Sequence, residues 1–485
     1  MLHEQNPRQI AAHVLQQRKT GGEFTENLLD DAFAGTRLSP VDRGLCHELV
    51  CGAVRWQATL DWLIARKTGG RGQKLALQNL LRLGLYQIFW LDRIPDHAAV
   101  NETVELAKHA GFNTQAGFVN AVLRGYLREA DETKKLLADL KISQPALGWS
   151  HPEWLVEKWR KQFGDEKVRQ LLDWNNTPPK NFARSNTLKA DAGKLVERWR
   201  EENVEYDFFT RDWTGENLVF ELKSHPPLAS LGSFRDGWFY IQDPSTLLAV
   251  RELDPQPGET ILDLCAAPGG KTTFIAQQMN NQGRLVAHDT FPDRLKLIEE
   301  NCQRLGVTCV ETQASQFVRP HPDPLPQERE QRMAVSVFPA SAVANPPSGF
   351  TEERQQLPPL LEGEGRGEGG PKHISHSILF DRVLVDAPCS NTGVLRRRVD
   401  LRWRISPEEI LRLKKTQLEL FQQAASVLKP GGTLVYSTCS LEPEENSEVV
   451  KEFLAAHQNF KLASERQLLP FADNVDGAFV ARLEN

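Results

Sequence analysis

The stretch "LDLCAAPGGKTT", residues 262–273, decides the fold of the largest part of this chain. An apolar run ends at Leu264, a Pro-Gly-Gly turn follows at residues 268–270, and a helical pattern begins after it. The Gly-Lys-Thr end looks like a P-loop, but a P-loop needs a glycine five residues before its Gly-Lys pair, and Cys265 stands there. A strand, a glycine turn and a helix instead predict the first unit of a doubly wound sheet, with a small ligand at the strand end.

Length and composition limit the class of protein. The chain has 485 residues, which indicates about three domains at roughly 150 residues each. Its 40% hydrophobic and 25% charged residues are typical of a globular protein, and its net charge of −6 argues against a chain that is basic throughout. Because it lacks an apolar leader and any long apolar run, we expect a cytoplasmic protein without a membrane partner. We also expect a monomer that does not bind DNA.

The hydrophobic pattern changes twice along the chain and predicts three regions. Residues 1–145 read as an all-α bundle, in which "LALQNLLRLGLYQIFWL" places leucines at three- and four-residue spacing. Residues 146–236 mix helical and alternating patterns and predict a small α+β region. Residues 237–485 alternate buried strands with helices, which is typical of a Rossmann-like α/β domain with a mainly parallel sheet. The strand candidates are "TILDL", "RLVAHD", "VTCVET", "FDRVLVDAP", "GTLVYSTC" and "AFVARLE".

One segment of the third region departs from this rhythm. Residues 319–377 are rich in Pro, Gly and Glu and poor in periodic apolar residues. Because such a composition buries too little apolar surface to offset the entropy of ordering, we expect an insertion that is disordered and has no catalytic role.

The seven cysteines divide into two groups. They form no CxxC pair and have no histidine at zinc spacing, so we expect neither a metal site nor a disulfide in a reducing compartment. Four sit among apolar neighbours and read as core residues: Cys46, Cys51, Cys302 and Cys309. Cys389 and Cys439 instead follow strands and lie in polar turns, with Asp386 shortly before Cys389. Two thiols at neighbouring strand ends favour nucleophilic chemistry.

Three motifs carry a resemblance to a known family. "DLCAAPGGKT", "DAPCSNTG" and "STCSLEPEEN" resemble, in this order, the signature motifs of the RNA 5-methylcytosine methyltransferases (the NOL1/NOP2/sun family). The helical first region is similar to the RNA-binding antitermination factor NusB. The resemblance covers the chain apart from residues 319–377. It implies methyl transfer from S-adenosylmethionine to carbon 5 of a cytosine in RNA, and the NusB-like region favours 16S ribosomal RNA as the substrate.

The resemblance also implies roles for individual residues. Cys439 would add to carbon 6 of the cytosine, Cys389 would assist the later elimination, and Asp386 would bind the cytosine edge close to the methyl donor. The implied cofactor-binding residues are Cys265, Ala266, Ala267, Pro268, Gly269, Gly270, Lys271, Asp289 and Asp386. Asp289 ends the second strand, where an acidic residue about 20 residues after the glycine turn binds ribose hydroxyls. The alternative for Asp289 is a simple helix cap.

An arginine-rich stretch follows the Cys389 motif directly. "LRRRVDLRWR", residues 395–404, holds five arginines and one aspartate. Beside a base pocket, this stretch predicts a phosphate-binding strip, with Trp403 stacking or packing. The predicted RNA-binding residues are Arg396, Arg397, Arg398, Arg402 and Arg404.

The sequence departs from the family pattern at one place. After the third strand, where the family usually carries a Gly-Asp pair whose Asp contacts adenine, this chain has Gln313, Ala314 and Ser315. Adenine recognition is therefore expected to be weakened, or to depend on a nearby residue. The sequence leaves two other functions open: a transfer-RNA cytosine-5 methyltransferase, and a non-catalytic RNA-binding or ribosome assembly factor.

Overall fold

The structure is a computed structural model that describes residues 6–20, 23–34, 36–314 and 379–485. The predicted insertion at residues 319–377 and Ser315 lie outside the described residues. Among the helices of the described ranges, none combines the length and the apolar character that a membrane crossing requires.

The first region is a bundle of α-helices. They are α1 (Pro7–Thr20), α2 (Thr25–Ala34), α3 (Pro40–Arg55), α4 (Gln57–Thr68), α5 (Leu75–Trp90), α6 (Asp96–His109), α7 (Ala116–Arg128) and α8 (Ala130–Ser143). The leucines of α5 form the predicted buried stripe, with Leu77, Leu81 and Leu85 in the core. At Gly84 an added Cβ would lie 2.8 Å from Leu123 Cδ1 of α7, so a glycine is needed where these helices approach. The all-α prediction is confirmed.

A small mixed region follows the bundle. Its helices are α9 (Pro145–Gly148), α10 (Glu153–Phe163), α11 (Asp165–Asn176), α12 (Ala192–Glu201) and α13 (Gly232–Arg235). Its strands are β1 (Asn181–Ser185), β2 (Glu205–Phe209), β3 (Val219–Ser224) and β4 (Phe239–Ile241), which form an antiparallel sheet in the order β2-β3-β1-β4. Trp199 of α12 is buried, and its ring lies 5.2 Å from each of the Phe220 and Phe239 rings. Aromatic packing of this kind joins α12 to the sheet.

The third region contains a seven-stranded sheet with helices on its faces. The strands are β5 (Thr260–Leu264), β6 (Arg284–Asp289), β7 (Val310–Ala314), β8 (Phe380–Asp386), β9 (Leu428–Thr438), β10 (Lys461–Leu468) and β11 (Ala478–Glu484). The helices are α14 (Leu247–Leu253), α15 (Gly270–Gln278), α16 (Pro292–Leu305), α17 (Pro407–Ser426), α18 (Ser447–Ala456) and α19 (Pro470–Asp473). The strand order is β10-β11-β9-β8-β5-β6-β7, and β5 to β9 run parallel. The α/β prediction is confirmed.

The sequence did not reveal β10. Its residues, "KLASERQL", are mostly exposed or half-buried and show no apolar alternation. β10 is the edge strand of the sheet and pairs antiparallel with β11, which itself runs antiparallel to β9. Backbone pairing with β11 therefore makes this segment a strand, although its side-chain pattern does not predict one.

All seven cysteines are free thiols. Cys46, Cys51 and Cys302 are buried, as expected for core residues, while Cys309 is only partly buried.

Candidate active site

The parallel strands bring the motif residues to one edge of the sheet. β5 lies between β6 and β8, so the chain leaves β5 toward one side of the sheet and returns to the other side with β8. Such a reversal of strand order opens a crevice beyond the carboxyl ends of the strands. Asp289 ends β6 and Asp386 ends β8, while Cys439 directly follows β9.

The loop after β5 has a backbone that few other residues would allow. Gly269 has a φ of 99°, and an added Cβ would lie 3.3 Å from Ile298 Cα of α16. Asn301, also on α16, donates from Nδ2 to Pro268 O at 2.9 Å and fixes the loop on that helix. Gly269 precedes α15 and has no side chain to cap it, so the first N–H groups of α15 are available to an anion.

Asp289 is buried at the end of β6, where it supports the same loop. Its Oδ2 accepts from Ala267 N at 3.1 Å and pairs with the Arg294 guanidinium at 3.1 Å. Its Oδ1 lies 3.5 Å from Phe291 N, which is a long contact for a hydrogen bond. That oxygen therefore keeps the capacity to accept from a hydroxyl of a ligand.

These features fit the cofactor that the resemblance implies. S-adenosylmethionine carries a carboxylate, which suits the N-terminus of α15, and a ribose diol, which suits Asp289 Oδ1. The residues expected to contact adenine offer fewer hydrogen bonds. Ala314 pairs with Asp289 in the β6–β7 register, and its methyl side chain offers no hydrogen bond. Gln313 Oε1 is 3.0 Å from His288 Nε2 on the neighbouring strand.

The two predicted thiols lie side by side. Cys389 Sγ and Cys439 Sγ are 3.3 Å apart, although 50 residues separate them along the chain. The Cys439 thiol is partly exposed and donates to Asn391 Oδ1 at 2.8 Å, whereas Cys389 is buried. Burial raises the pKa of Cys389 well above its usual value, and the neighbouring Cys439 and the Glu445 carboxylate raise it further. The accessible thiol is therefore Cys439, and Cys389 is held protonated beneath it.

Asp386 is paired with a cation from the cofactor loop. Lys271 Nζ lies 2.6 Å from Asp386 Oδ2. Burial alone lowers the pKa of Lys271, but the attraction of Asp386 outweighs it and the net pKa is raised. Asp263 lies buried on β5 and accepts from Thr272 Oγ1 at 2.7 Å, and burial raises its pKa to about 7. Lys271 thus remains a cation between the cofactor loop and the Asp386 strand end.

The arginine strip is not the exposed phosphate site that the sequence suggested. Arg396 is 1% exposed and pairs with Asp476 at 2.6 Å, while its guanidinium lies 4.0 Å from the centre of the Trp174 ring. Arg402 is 0% exposed and donates to Asn175 O at 2.9 Å and Asn176 Oδ1 at 2.8 Å. The chain itself encloses both side chains, which argues against a direct contact with phosphate, and RNA binding by these two residues stays a prediction.

The other three arginines are also engaged within the chain. Arg397 pairs with Asp476 at 2.5 Å and Arg398 pairs with Glu26 at 2.9 Å. Arg404 donates to Glu23 O and lies 3.9 Å from the centre of the Phe24 ring. They are partly buried rather than enclosed. RNA binding by these three residues stays a prediction.

The strip instead ties the loop that begins at Cys389 to the helical region. Asp400 is buried, pairs with Arg18 at 2.5 Å and accepts from Thr25 N at 2.6 Å, so α1 and α2 both hold it. Trp403 packs rather than stacks on a base: it lies against the helical core, and its Nε1 donates to Val54 O at 2.8 Å. The loop that begins at Cys389 is therefore anchored on α1, α2 and α3.

Three residues in and around the thiol loops were not among the predicted site residues. Asn391 binds the Cys439 thiol and donates from Nδ2 to Cys389 O at 2.9 Å. Glu445 and Gln417 lie directly behind the thiol loops and contact each other at 3.1 Å. Asn391 and Glu445 are letters of the quoted motifs, so their presence there was the available signal, while nothing in the α17 sequence marked Gln417.

Comparison with known families divides the chain in the same order as the structure. Residues 250–324 and 366–484 match the family "16S rRNA methyltransferase RsmB/F". Residues 5–128 match the NusB family, and residues 151–210 match the ferredoxin-like domain of RsmF/B-like methyltransferases.

The relatives match over nearly the whole length of the chain, and two solved structures match over 100% and 70% of it. A Bacillus subtilis protein named "Probable ribosomal RNA small subunit methyltransferase B" is 33% identical over 98% of each chain. The ribosomal RNA small subunit methyltransferase B of Escherichia coli O1:K1 is 32% identical over 100% of this chain and 99% of its own. The crystal structure of PH0851 shares the fold over 100% of both chains, with a TM-score of 0.70 at 21% identity. A methyltransferase homolog from Pyrococcus horikoshii has a TM-score of 0.51 at 26% identity over 70% of this chain and 97% of its own. The chain belongs to the ribosomal RNA small subunit methyltransferase B family and uses S-adenosylmethionine as its cofactor.

Proposed function

We propose that the protein methylates carbon 5 of a cytosine in small-subunit ribosomal RNA through a covalent bond between Cys439 and the base. The observation that carries the proposal is the pair of thiols 3.3 Å apart at the ends of neighbouring strands, close to the end of β8, where Asp386 stands. The names of its relatives support small-subunit ribosomal RNA as the substrate.

Carbon 5 of cytosine is too weak a nucleophile to accept a methyl group directly, so the ring must first be activated. The target base leaves its stack and enters the crevice. The Cys439 thiolate adds to carbon 6, which forms a carbon–sulfur bond and moves the ring electrons toward carbon 5. When bound, S-adenosylmethionine supplies the methyl group that carbon 5 then takes.

The remaining residues hold the base and complete the cycle. Asp386, oriented by Lys271 at 2.6 Å, accepts a hydrogen bond from the cytosine edge and stabilises protonation of the ring nitrogen. Loss of the carbon 5 proton and breakage of the carbon–sulfur bond restore the aromatic ring and the Cys439 thiol. Cys389 acts in this last step, since its sulfur lies beside the sulfur of the bond that breaks.

The test is methyl transfer from S-adenosylmethionine carrying a tritiated methyl group. We expect label in small-subunit ribosomal RNA, recovered as 5-methylcytidine after digestion to nucleosides. Label found only in transfer RNA would mean that transfer RNA is the substrate. Label in another nucleoside would rule out methylation of cytosine carbon 5, and RNA binding without label would favour a non-catalytic factor.

Two variants test the covalent step. Cys439→Ala is expected to abolish methylation, because the ring is never activated. Cys389→Ala is expected to leave a protein–RNA adduct on a denaturing gel, because the adduct forms but resolves slowly. If the adduct appeared with Cys439→Ala instead, the two cysteines would exchange roles.

A further inference from the structure

A buried carboxylate joins the two thiol loops. Glu445 ends the short turn between β9 and α18 and is 0% exposed. Its Oε1 accepts from Ser390 N at 2.8 Å, and its Oε2 accepts from Ser440 Oγ at 2.6 Å and from Ser390 Oγ. Ser390 directly follows Cys389, and Ser440 directly follows Cys439.

A second side chain extends this link to the other side of Cys389. Gln417 of α17 donates from Nε2 to Glu445 Oε1 at 3.1 Å and to Pro388 O at 2.8 Å. Pro388 directly precedes Cys389, so the backbone is held on both sides of this thiol. The serine hydroxyls, Ser390 Oγ and Ser440 Oγ, are themselves 3.2 Å apart. The loops that carry the two cysteines thus share one acceptor.

We propose that Glu445 is a positioning residue that sets the spacing of Cys389 and Cys439 by binding the residue after each of them. The effect of Glu445 on methyl transfer rests on the proposed function. The geometric argument is independent of it: the two loops follow different strands, and Glu445 binds the residue after each thiol. This binding adds to the hydrogen bonds that Cys439 Sγ donates to Asn391 Oδ1 and that Gly393 N donates to Cys439 O. Removing the shared acceptor would leave buried donors unpaired, which the loops can relieve by moving apart.

The charge of Glu445 also acts on Cys389. When ionised, the carboxylate raises the pKa of Cys389, in addition to the larger effect of burial and the effect of Cys439. The groups that face Glu445 are Glu442 on its own turn, which Lys158 of α10 neutralises at 2.7 Å, and Tyr436 of β9, whose hydroxyl donates to Glu445 O at 2.6 Å. Burial, the contact with Cys439 and, when Glu445 is ionised, its charge together favour the thiol form of Cys389.

The test compares three full-length variants. Glu445→Gln keeps the shape and removes the charge, and Glu445→Ala removes all the contacts. Glu444→Gln is the matched control, because Glu444 lies on the same turn but is partly exposed and binds Lys158 at 2.8 Å. Alkylation of Cys389 and Cys439 by iodoacetamide, resolved by mass spectrometry from pH 6 to pH 10, reports on each thiol without RNA. Methyl transfer gives kcat and the KM for RNA.

We expect Glu445→Gln to make Cys389 react at lower pH and to lower kcat about tenfold while the KM for RNA changes less than about twofold. Glu445→Ala, where it folds, should lower kcat further, and Glu444→Gln should match the wild type. An unchanged alkylation profile of Cys389 in Glu445→Gln, or an unchanged kcat, would overturn the positioning role. If the wild-type protein transferred no methyl group to RNA, the proposed function would fail, and the alkylation profiles would still decide the role of Glu445.

Discussion

Replacing Arg402 by methionine distinguishes a structural arginine from a phosphate-binding one. The enclosed guanidinium makes two short hydrogen bonds, at 2.8 Å to Asn176 Oδ1 and 2.9 Å to Asn175 O, besides longer contacts with Arg55 O and Ser150 O at 3.3 Å. Hydrogen bonds to a charged group contribute about 1.5–3 kcal/mol each, so the two short ones contribute about 3–6 kcal/mol.

Part of this contribution is offset in the variant. Burial and the nearby Arg55 lower the pKa of Arg402, which means that removing this cation from water costs the folded protein free energy. Methionine fills a similar volume without that cost. We therefore expect Arg402→Met to lower the free energy of unfolding by about 3 kcal/mol, a large part of the usual total of about 5–15 kcal/mol.

Urea denaturation followed by tryptophan fluorescence and circular dichroism measures the change. Arg71→Met, in the exposed loop between α4 and α5, is the control and should stay within about 0.5 kcal/mol of the wild type. The salt dependence of RNA binding should be the same in Arg402→Met as in the wild type. An unchanged free energy of unfolding together with weaker, less salt-dependent RNA binding would show that Arg402 contacts phosphate after all.

Three further expectations concern the cofactor, pH and the insertion. Asp289→Asn should weaken S-adenosylmethionine binding about tenfold or more in calorimetry, since a charge-assisted hydrogen bond to the ribose is lost; unchanged affinity would make Asp289 only a support for the loop. Burial raises the pKa of Glu445 from 4.5 to about 7 in the folded protein, so the folded state binds this proton more tightly than the unfolded state. Relative to Glu445→Gln, the free energy of unfolding of the wild type should therefore be highest below pH 4.5 and fall by about 3 kcal/mol as the pH rises to about 7. A difference in free energy of unfolding that does not change with pH would contradict the raised pKa. Deleting residues 319–377 and joining the ends with a short Gly/Ser linker should change the free energy of unfolding by no more than about 1 kcal/mol. A deletion variant that binds S-adenosylmethionine much more weakly would instead give the insertion a part in the site.

Local patterns were sufficient for the order of the regions and for the edge of the sheet that carries the site. The run from Leu262 to Thr273 predicted β5, its glycine turn and α15, because burial along a strand and backbone freedom at a turn are properties of neighbouring residues. The same reasoning placed Asp289, Asp386 and Cys439 at strand ends. Parallel strands then bring such positions together, whatever the intervening chain contains.

Contacts between distant segments were decided only by the tertiary structure. The arginines of residues 395–404 looked like a phosphate strip because a sequence shows charges but not their partners. In the structure, Asp476 binds Arg396, Asn175 O of α11 binds Arg402, and Asp400 within the strip binds Arg18. Glu445 is one of several acids in its motif by sequence, and only the approach of two loops 50 residues apart makes it their shared acceptor. β10 exists as a strand because β11 lies beside it. The sequence by itself determined the strands and helices with a clear periodicity and the motif residues at the strand ends, because both depend on neighbouring residues. The tertiary structure determined the edge strand β10, which charges are enclosed and which side chains hold the thiol loops, because burial and pairing depend on segments far apart in the chain.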